Sequence, residues 1–284
     1  MAVAVVTDSA CDLPPALVAE RRITIVPLDV RFGPLSPGEV AGLSPEQFWR
    51  SPAWASALPQ TSAPSPGAFR QAFLAAVDNG ADGVICVTIS SDLSATYQAA
   101  LAGAGEVGDV VGVEVIDSRS ATMGEGLLVL EAAERAGGGA PLAECAAAVR
   151  AAVERIAVFG TLDTLDNLRR GGRIGAAQAL VGSLLSIKPV IEVRDGVVEP
   201  ESRQRTRSRS LEYLVEKLKS AGPLERLAVV HADASDLDQL LERLAPCYPP
   251  AETIVSYIGP VIGAHTGKGT VGICLQRRAG GAGD

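Results

Sequence analysis

At 284 residues the chain exceeds the usual size of one domain, and 47% hydrophobic against 4% aromatic residues implies two cores built from Ala, Val, Leu and Ile. A net charge of −8 argues against a general nucleic-acid binder, and five cysteines (11, 86, 145, 247 and 274) with no C-x-x-C pair give neither a disulfide framework nor a zinc site. The first residues carry no basic region, and the longest weakly polar window, 174–187, is too short to span a bilayer, so a cytoplasmic chain without stable membrane insertion is expected.

Residues 2–6 are an apolar run ending in Thr7-Asp8-Ser9-Ala10-Cys11-Asp12, a strand whose polar edge precedes a helix opening at Pro14 or Pro15. Open α/β sheets bind ligands at that edge, so Asp8, Ser9 and Asp12 are either site residues or turn and cap residues. Residues 23–30 read as a second strand, 31–45 as loop, and 46–57 as a short helix in which Trp49 and Trp54 pack rather than bind. The proline-rich stretch 58–67 either presents Thr61 and Ser62 on a rigid extended segment or serves as a linker, and a helix follows over 69–78.

The β-branched run 84–89 predicts a buried parallel strand, and Ser90-Ser91-Asp92 then opens a helix. The free N–H groups there would make a carboxylate or phosphate cradle, or one serine merely caps the helix. A strand at 110–116 ends in Asp117-Ser118-Arg119-Ser120, completing a βαβα pattern that argues for a parallel, helix-covered sheet. Helices follow from 124–126 to the Gly137–Gly139 break and over 142–156, and a strand begins at Val158.

Arg169, Arg170 and Arg173 beside Gly171 and Gly172 make a basic turn suited to phosphate or carboxylate, or a solvated helix C-terminus. Residues 180–187 read as apolar helix, and Asp195-Gly196 between two apolar runs signals an antiparallel hairpin. Arg203, Arg205, Arg207 and Arg209 share one face if that segment is extended, as a charged edge strand or as a nucleic-acid-binding surface. Helices at 211–218 and 235–244 alternate with strands at 227–231 and 253–257. His265, one of two histidines, falls in a glycine-lined loop before the last strand.

Six pieces taken in order, Thr7-Asp8-Ser9-Ala10-Cys11-Asp12-Leu13, Thr61-Ser62-Ala63-Pro64-Ser65, Ile89-Ser90-Ser91-Asp92-Leu93-Ser94-Ala95-Thr96-Tyr97-Gln98, Asp117-Ser118, Leu168-Arg169-Arg170-Gly171-Gly172-Arg173-Ile174 and Ile262-Gly263-Ala264-His265-Thr266-Gly267-Lys268-Gly269-Thr270, resemble the DegV family. Its members are fatty-acid-binding proteins and include the lipid-carrying subunit of bacterial fatty acid kinase. Ala95 replaces a usual Gly and Lys268 a common Pro, departures that bear on loop geometry. The resemblance implies a two-domain α/β fold: an N-terminal parallel-sheet domain over 1–155 and a C-terminal domain over 156–284 with a mainly antiparallel sheet.

It further implies a long-chain fatty acid, such as palmitate, held in an apolar tunnel, with Thr61, Ser90 or Ser91, and His265 on the carboxylate. Arg173 and Arg170 would face the phosphate or the partner, and Asp8, Ser9, Ser94, Asp117 and Ser118 would stand behind the site. No metal or cofactor and no catalysis by the chain alone are implied, because a separate ATP-binding kinase makes the acyl phosphate. A carrier without a kinase partner is the alternative, and a nucleic-acid-binding regulator is the weaker one. A hydrolase or kinase acting alone is disfavoured by the absence of G-x-S-x-G and of G-x-x-x-x-G-K-[ST].

Overall fold

The computed structural model describes residues 2–55, 57–180 and 187–280. Its first half runs β1 (Val3–Asp8), α1 (Pro15–Glu20), β2 (Thr24–Val26), β3 (Asp29–Arg31), α2 (Pro37–Ala41), α3 (Pro45–Trp49), β4 (Gln60–Ser62), α4 (Pro66–Asp78), β5 (Gly83–Thr88), α5 (Thr96–Gly105), β6 (Gly112–Asp117), α6 (Met123–Gly137) and α7 (Leu142–Val153). Four strands form an all-parallel sheet in the order β2-β1-β5-β6.

β5 shows why that sheet is buried on both faces. Val84 and Cys86 pack with Phe69 and Phe73 of α4, while Ile85 and Val87 belong to the core of α6 and α7. Period-2 alternation thus supplies two apolar faces from one uninterrupted run.

The expected strand over 23–30 is two strands. Pro27 separates them: β2 joins the parallel sheet, and β3 pairs antiparallel with β4, opposing Val30 to Thr61. The stretch 31–45, expected as loop, contains α2 and the start of α3, each opened by a capping box (Ser36 with Glu39, Ser44 with Gln47) and a proline in its first turn. The helix expected to 57 stops at Trp49, and a 3-10 turn, Pro52–Ala55, follows; Ser56 lies outside the described residues. Trp49 and Trp54 stack at 5.2 Å against Phe32 and Phe48, and the Trp49 indole N–H donates to the Ile258 carbonyl (2.8 Å).

The second half runs β7 (Ile156–Thr161), α8 (Asp166–Arg170), β8 (Lys188–Arg194), β9 (Val197–Gln204), α9 (Arg207–Ser220), β10 (Leu224–His231), α10 (Leu237–Leu244), β11 (Thr253–Tyr257), α11 (Pro260–Thr266) and β12 (Val271–Arg277). These strands form a second sheet, β11-β10-β12-β7-β8-β9, antiparallel except for the β10/β11 pair. Asp195 (φ 51°) and Gly196 (φ 85°) make the tight turn between β8 and β9. The apolar helix expected over 180–187 falls, from 181 to 186, outside the described residues.

The four arginines do not share an extended face. β9 ends at Gln204, and the Thr206 hydroxyl accepts the Arg209 N–H and caps α9, so Arg207 and Arg209 ride on a helix. Arg207 is half-buried and committed, donating to both Asp236 carboxylate oxygens (2.6 and 3.0 Å) and to the Gly269 carbonyl (2.7 Å).

Between the two sheets lies α6, buried at every position from Met123 to Ala133 and packed on β1 and β5 on one side and on β7, β10 and β12 on the other. A helix enclosed by two sheets must be apolar nearly all round, which its Leu127-Leu128-Val129-Leu130 run satisfies. Its two buried carboxylates are bonded: Glu125 accepts from the Thr7 hydroxyl (2.9 Å), and Glu131 from Arg135 (2.9 Å) and the Gln276 amide (3.2 Å).

Candidate functional site

Where the two sheets diverge, a cavity of about 1070 Å³, mouth included, opens between them. Val158, Ile191, Val193, Val198 and Val230 line it from the second sheet, and Ile89, Leu93 and Ala121 from the C-terminal edge of the parallel one. That is the edge at which open α/β sheets place ligands. Thr61, Ser94, Arg173 and His265 are among the polar side chains in its lining, which also includes Ser62, Thr122, Thr266 and Thr270.

Thr61 is held on β4, half-buried, by its pairing with Val30. Its hydroxyl lies 3.0 Å from His265 Nε2, across 204 positions of sequence. His265 sits in the last turn of α11 and not in a loop. Pro260 starts that helix and Gly267 (φ 80°) ends it. Gly263, one of the glycines expected to mark a loop, instead admits the Trp49 ring, which a Cβ there would approach to 2.6 Å. Burial, and then the positive charge of Arg173, pushes the His265 pKa down to about 4, so the imidazole is neutral at physiological pH. Its Nδ1 has no hydrogen-bond partner among the described residues and faces Gly171, where any side chain would collide with the ring.

Arg173 is exposed, donating from Nε to the Leu93 carbonyl (3.1 Å) and from Nη1 to the Gly171 carbonyl (2.7 Å). The glycine pair closes α8 with the Arg173 N–H reaching back to the Leu168 carbonyl (3.0 Å) and Gly172 at φ 70°, which carries Arg173 over the cavity mouth. Outside the mouth a surface groove is lined by Gln60, Asn167 and Arg170 together with Thr61, Arg173 and His265. Two arginines therefore overlook the opening.

The serine pair is placed differently from expectation. α5 begins at Thr96, because a turn comes first, with Leu93 and Ser94 N–H groups both bonded to the Ser90 carbonyl (3.0 and 3.1 Å). Ser90 is fully buried; its hydroxyl donates to the Gly196 carbonyl (2.7 Å) and accepts the Asp92 N–H (3.2 Å), pinning the β8–β9 turn onto the parallel sheet. The Ser91 N–H donates to Asp117 (3.2 Å). Neither serine lines the cavity, whereas Ser94 does, with its hydroxyl 2.8 Å from the Thr96 hydroxyl and accepting the Thr96 N–H (3.3 Å).

Asp8, Ser9, Asp117 and Ser118 hold the loops on which these groups sit, and they do not line the cavity. Asp8 accepts the Ala10 and Ile89 N–H groups (both 2.8 Å), Ser9 that of Leu28 (2.9 Å) and Asp117 that of Arg119 (2.8 Å), while the Ser118 hydroxyl donates to the Ser120 carbonyl (3.2 Å). Asp12 reaches further. Buried and at φ 52°, it accepts from the Thr122 hydroxyl (2.6 Å) and from the Gly259 N–H (2.9 Å) at the start of α11, the helix carrying His265. Burial pushes its pKa up to about 7 and that of Asp8 up to about 6; burial and the nearby Asp8 charge hold Glu125 well above the usual carboxylate range. Sequence singled out Asp12 but offered no partner 247 residues away.

Among the described residues no group of three or more His, Cys, Asp or Glu is placed to hold a metal ion, and no helix is long and apolar enough to cross a membrane. What the cavity can do is sequester an apolar chain and meet one polar end with hydroxyls and a neutral imidazole, beside the Arg173 guanidinium at the mouth.

Residues 2–278 match a family model described as "Uncharacterised protein, DegV family". The chain is 37% identical over 285 residues to a DegV domain-containing protein of Streptomyces coelicolor, covering 97% of this chain and 99% of that one. Among solved structures it is similar to a fatty-acid-binding DegV family protein from Thermus thermophilus (TM-score 0.87, 31% identity, 98% of this chain and 100% of that one). It is also similar to DegV, a fatty acid binding protein from Bacillus subtilis (TM-score 0.84, 32% identity, again 98% and 100%).

Proposed function

The chain belongs to the DegV family, and on that premise we propose that it binds one long-chain fatty acid in the cavity between its sheets and presents the carboxylate to a separate ATP-binding kinase. The observation that carries this is the Thr61–His265 pair in the lining of a mainly apolar cavity. Sequestering about 14 methylenes at ~0.8 kcal/mol each contributes on the order of 11 kcal/mol before association costs, so the tail supplies most of the affinity.

The carboxylate then has to be hydrogen-bonded, because burying it bare costs several kcal/mol. His265 is neutral, and with its Nε2–H directed at the Thr61 oxygen the threonine hydroxyl proton is free for the ligand. Ser94, also in the lining, supplies a second hydroxyl. Ser90 is committed to the Gly196 carbonyl and holds this wall in place; Ser91 contributes to the same turn through its backbone.

A head group held by hydroxyls keeps one oxygen free, which a bidentate arginine clamp would occupy. In the kinase complex that oxygen attacks the γ-phosphorus of ATP and the bond to ADP breaks, leaving an acyl phosphate. Arg173 and Arg170, on the rim, face the transferring phosphoryl group and the partner's surface. The test is acyl phosphate trapped with hydroxylamine. Product should require fatty acid, ATP, this chain and an ATP-binding partner together, and the chain alone should turn over no ATP. Tight fatty-acid binding with no phosphorylation by any such partner would reduce the role to that of a carrier.

A further inference from the structure

Gly160 occupies the interior of β7, itself an interior strand of the six-stranded sheet. Glycine is a poor choice there, since it loses more entropy on folding than any other residue and gives the sheet nothing to pack; a strand glycine often marks close approach by something else. No backbone demand explains it, because Gly160 is not among the residues with positive φ. Among the described residues, no crowding explains it either. A Cβ at 160 would find its nearest neighbours at 3.8 Å (Leu162 Cδ1), 3.9 Å (Ile191 Cγ1) and 4.0 Å (Val271 carbonyl), all ordinary contact distances.

The residue directly opposite, Gly272 on β12, is a useful contrast. A Cβ there would stand 2.6 Å from the Phe159 carbonyl, so the fold itself requires that glycine. Both glycines line the cavity. Along β7, Phe159 packs into the separate core beneath α9, so its neighbour Gly160 turns to the cavity, between the lining residues Val158 and Leu162. Gly160 is half-buried although Phe159 and Thr161 on either side are buried, which is what open space above a strand produces.

Two facing glycines therefore make a depression in the cavity wall, bounded along the strand by Val158 and Leu162 and across it by Ile191. We propose that Gly160 is a specificity-determining position: its missing side chain gives room for the bend of a cis-unsaturated acyl chain, in preference to a straight saturated chain of equal carbon count. A straight chain is uniformly thin and gains nothing from a local widening, whereas a bent one is thickest at the bend and needs it. The inference rests on the fatty-acid reading of the cavity.

The experiment compares delipidated wild-type protein with Gly160→Ala and Gly160→Val, each equilibrated with an equimolar mixture of oleate and stearate, repurified, and its bound acids quantified by mass spectrometry. Wild type should be enriched in oleate. Gly160→Val should lower the bound oleate-to-stearate ratio about tenfold, the discrimination expected when a pocket wall gains or loses a methyl-sized group, with Gly160→Ala intermediate. Delipidated Gly160→Ala should unfold at the wild-type temperature or above it, since the fold has room for the alanine methyl. An unchanged ratio in both variants, or parallel loss of both acids from variants that remain folded, overturns the assignment of Gly160. Wild-type protein that takes up neither acid overturns the fatty-acid reading itself, and this proposal with it.

Discussion

Replacing Thr61 by valine removes one hydroxyl while keeping a β-branched side chain that suits β4 and its pairing with Val30. In the unliganded protein the change deletes the 3.0 Å bond to His265, which costs about 0.5–1.5 kcal/mol and leaves both imidazole nitrogens without a bond to protein. In the complex it deletes a donor to a carboxylate removed from water, worth about 1–3 kcal/mol, so fatty-acid affinity should fall roughly five- to a hundredfold. The tail contribution is untouched, and binding should therefore weaken without vanishing. Displacement of a fluorescent fatty acid from delipidated protein would measure this, with the long-chain alcohol of the same tail as control. The alcohol carries no charge and should lose less than the acid. An unchanged Kd for the acid, or an equal loss for acid and alcohol, would refute the assignment of Thr61 to the head group.

Ser94→Ala should weaken fatty-acid binding about tenfold, whereas Ser90→Ala should lower stability by about 1 kcal/mol through the lost bond to Gly196 and leave affinity nearly unchanged; affinity lost in Ser90→Ala but kept in Ser94→Ala would exchange their roles. Asp12 holds its proton up to about pH 7 when folded but only to the ordinary carboxylate range near 4 when unfolded, so its contribution to stability is complete below that range and is lost as pH rises through 7. Asp8, at about 6, acts in the same sense, while His265, depressed to about 4, loses stability in the opposite direction as pH falls below about 6.5. Asp12→Asn, which keeps an acceptor for Gly259 and cannot ionise, should therefore gain on wild type as pH rises from about 4 to about 7, by at most about 4 kcal/mol in all, and hold that gain above 7; parallel urea-midpoint profiles for the two proteins across that range would contradict this. Arg173→Ala should leave lipid affinity within about threefold, because its side chain is exposed, and should reduce partner-dependent acyl phosphate formation at least about tenfold; loss of the lipid itself would show that Arg173 belongs to the head-group site.

Where period and turn chemistry act alone, sequence reached the structure: the run through Val84 to Val87 buries both faces, and Asp195-Gly196 turns β8 into β9. Composition misled it at residues 31–45, where prolines and serines suggested loop but sat at N1 and N-cap positions of α2 and α3. The same happened around His265, whose flanking glycines serve close packing and termination of a helix. Pro27 divides what looked like one strand, and Thr206 converts a row of alternating arginines into a helix start. The carboxylate site depended on contacts no local pattern encodes. Ser90 and Ser94 offer the same hydroxyl four residues apart, and what separates them is a carbonyl 106 residues further on. Gly160 carried a local signal, a glycine within an apolar strand, whose meaning required knowing that the adjacent space is cavity.

Native mass spectrometry of the delipidated protein, incubated with excess oleate and returned to lipid-free buffer, tests the central claim most directly. The cavity between the sheets predicts a mass increase of a single fatty acid per chain, retained by wild type and diminished in Thr61→Val. Wild-type protein that stays at its unliganded mass, or that takes up several acids per chain without regard to Thr61, would contradict it.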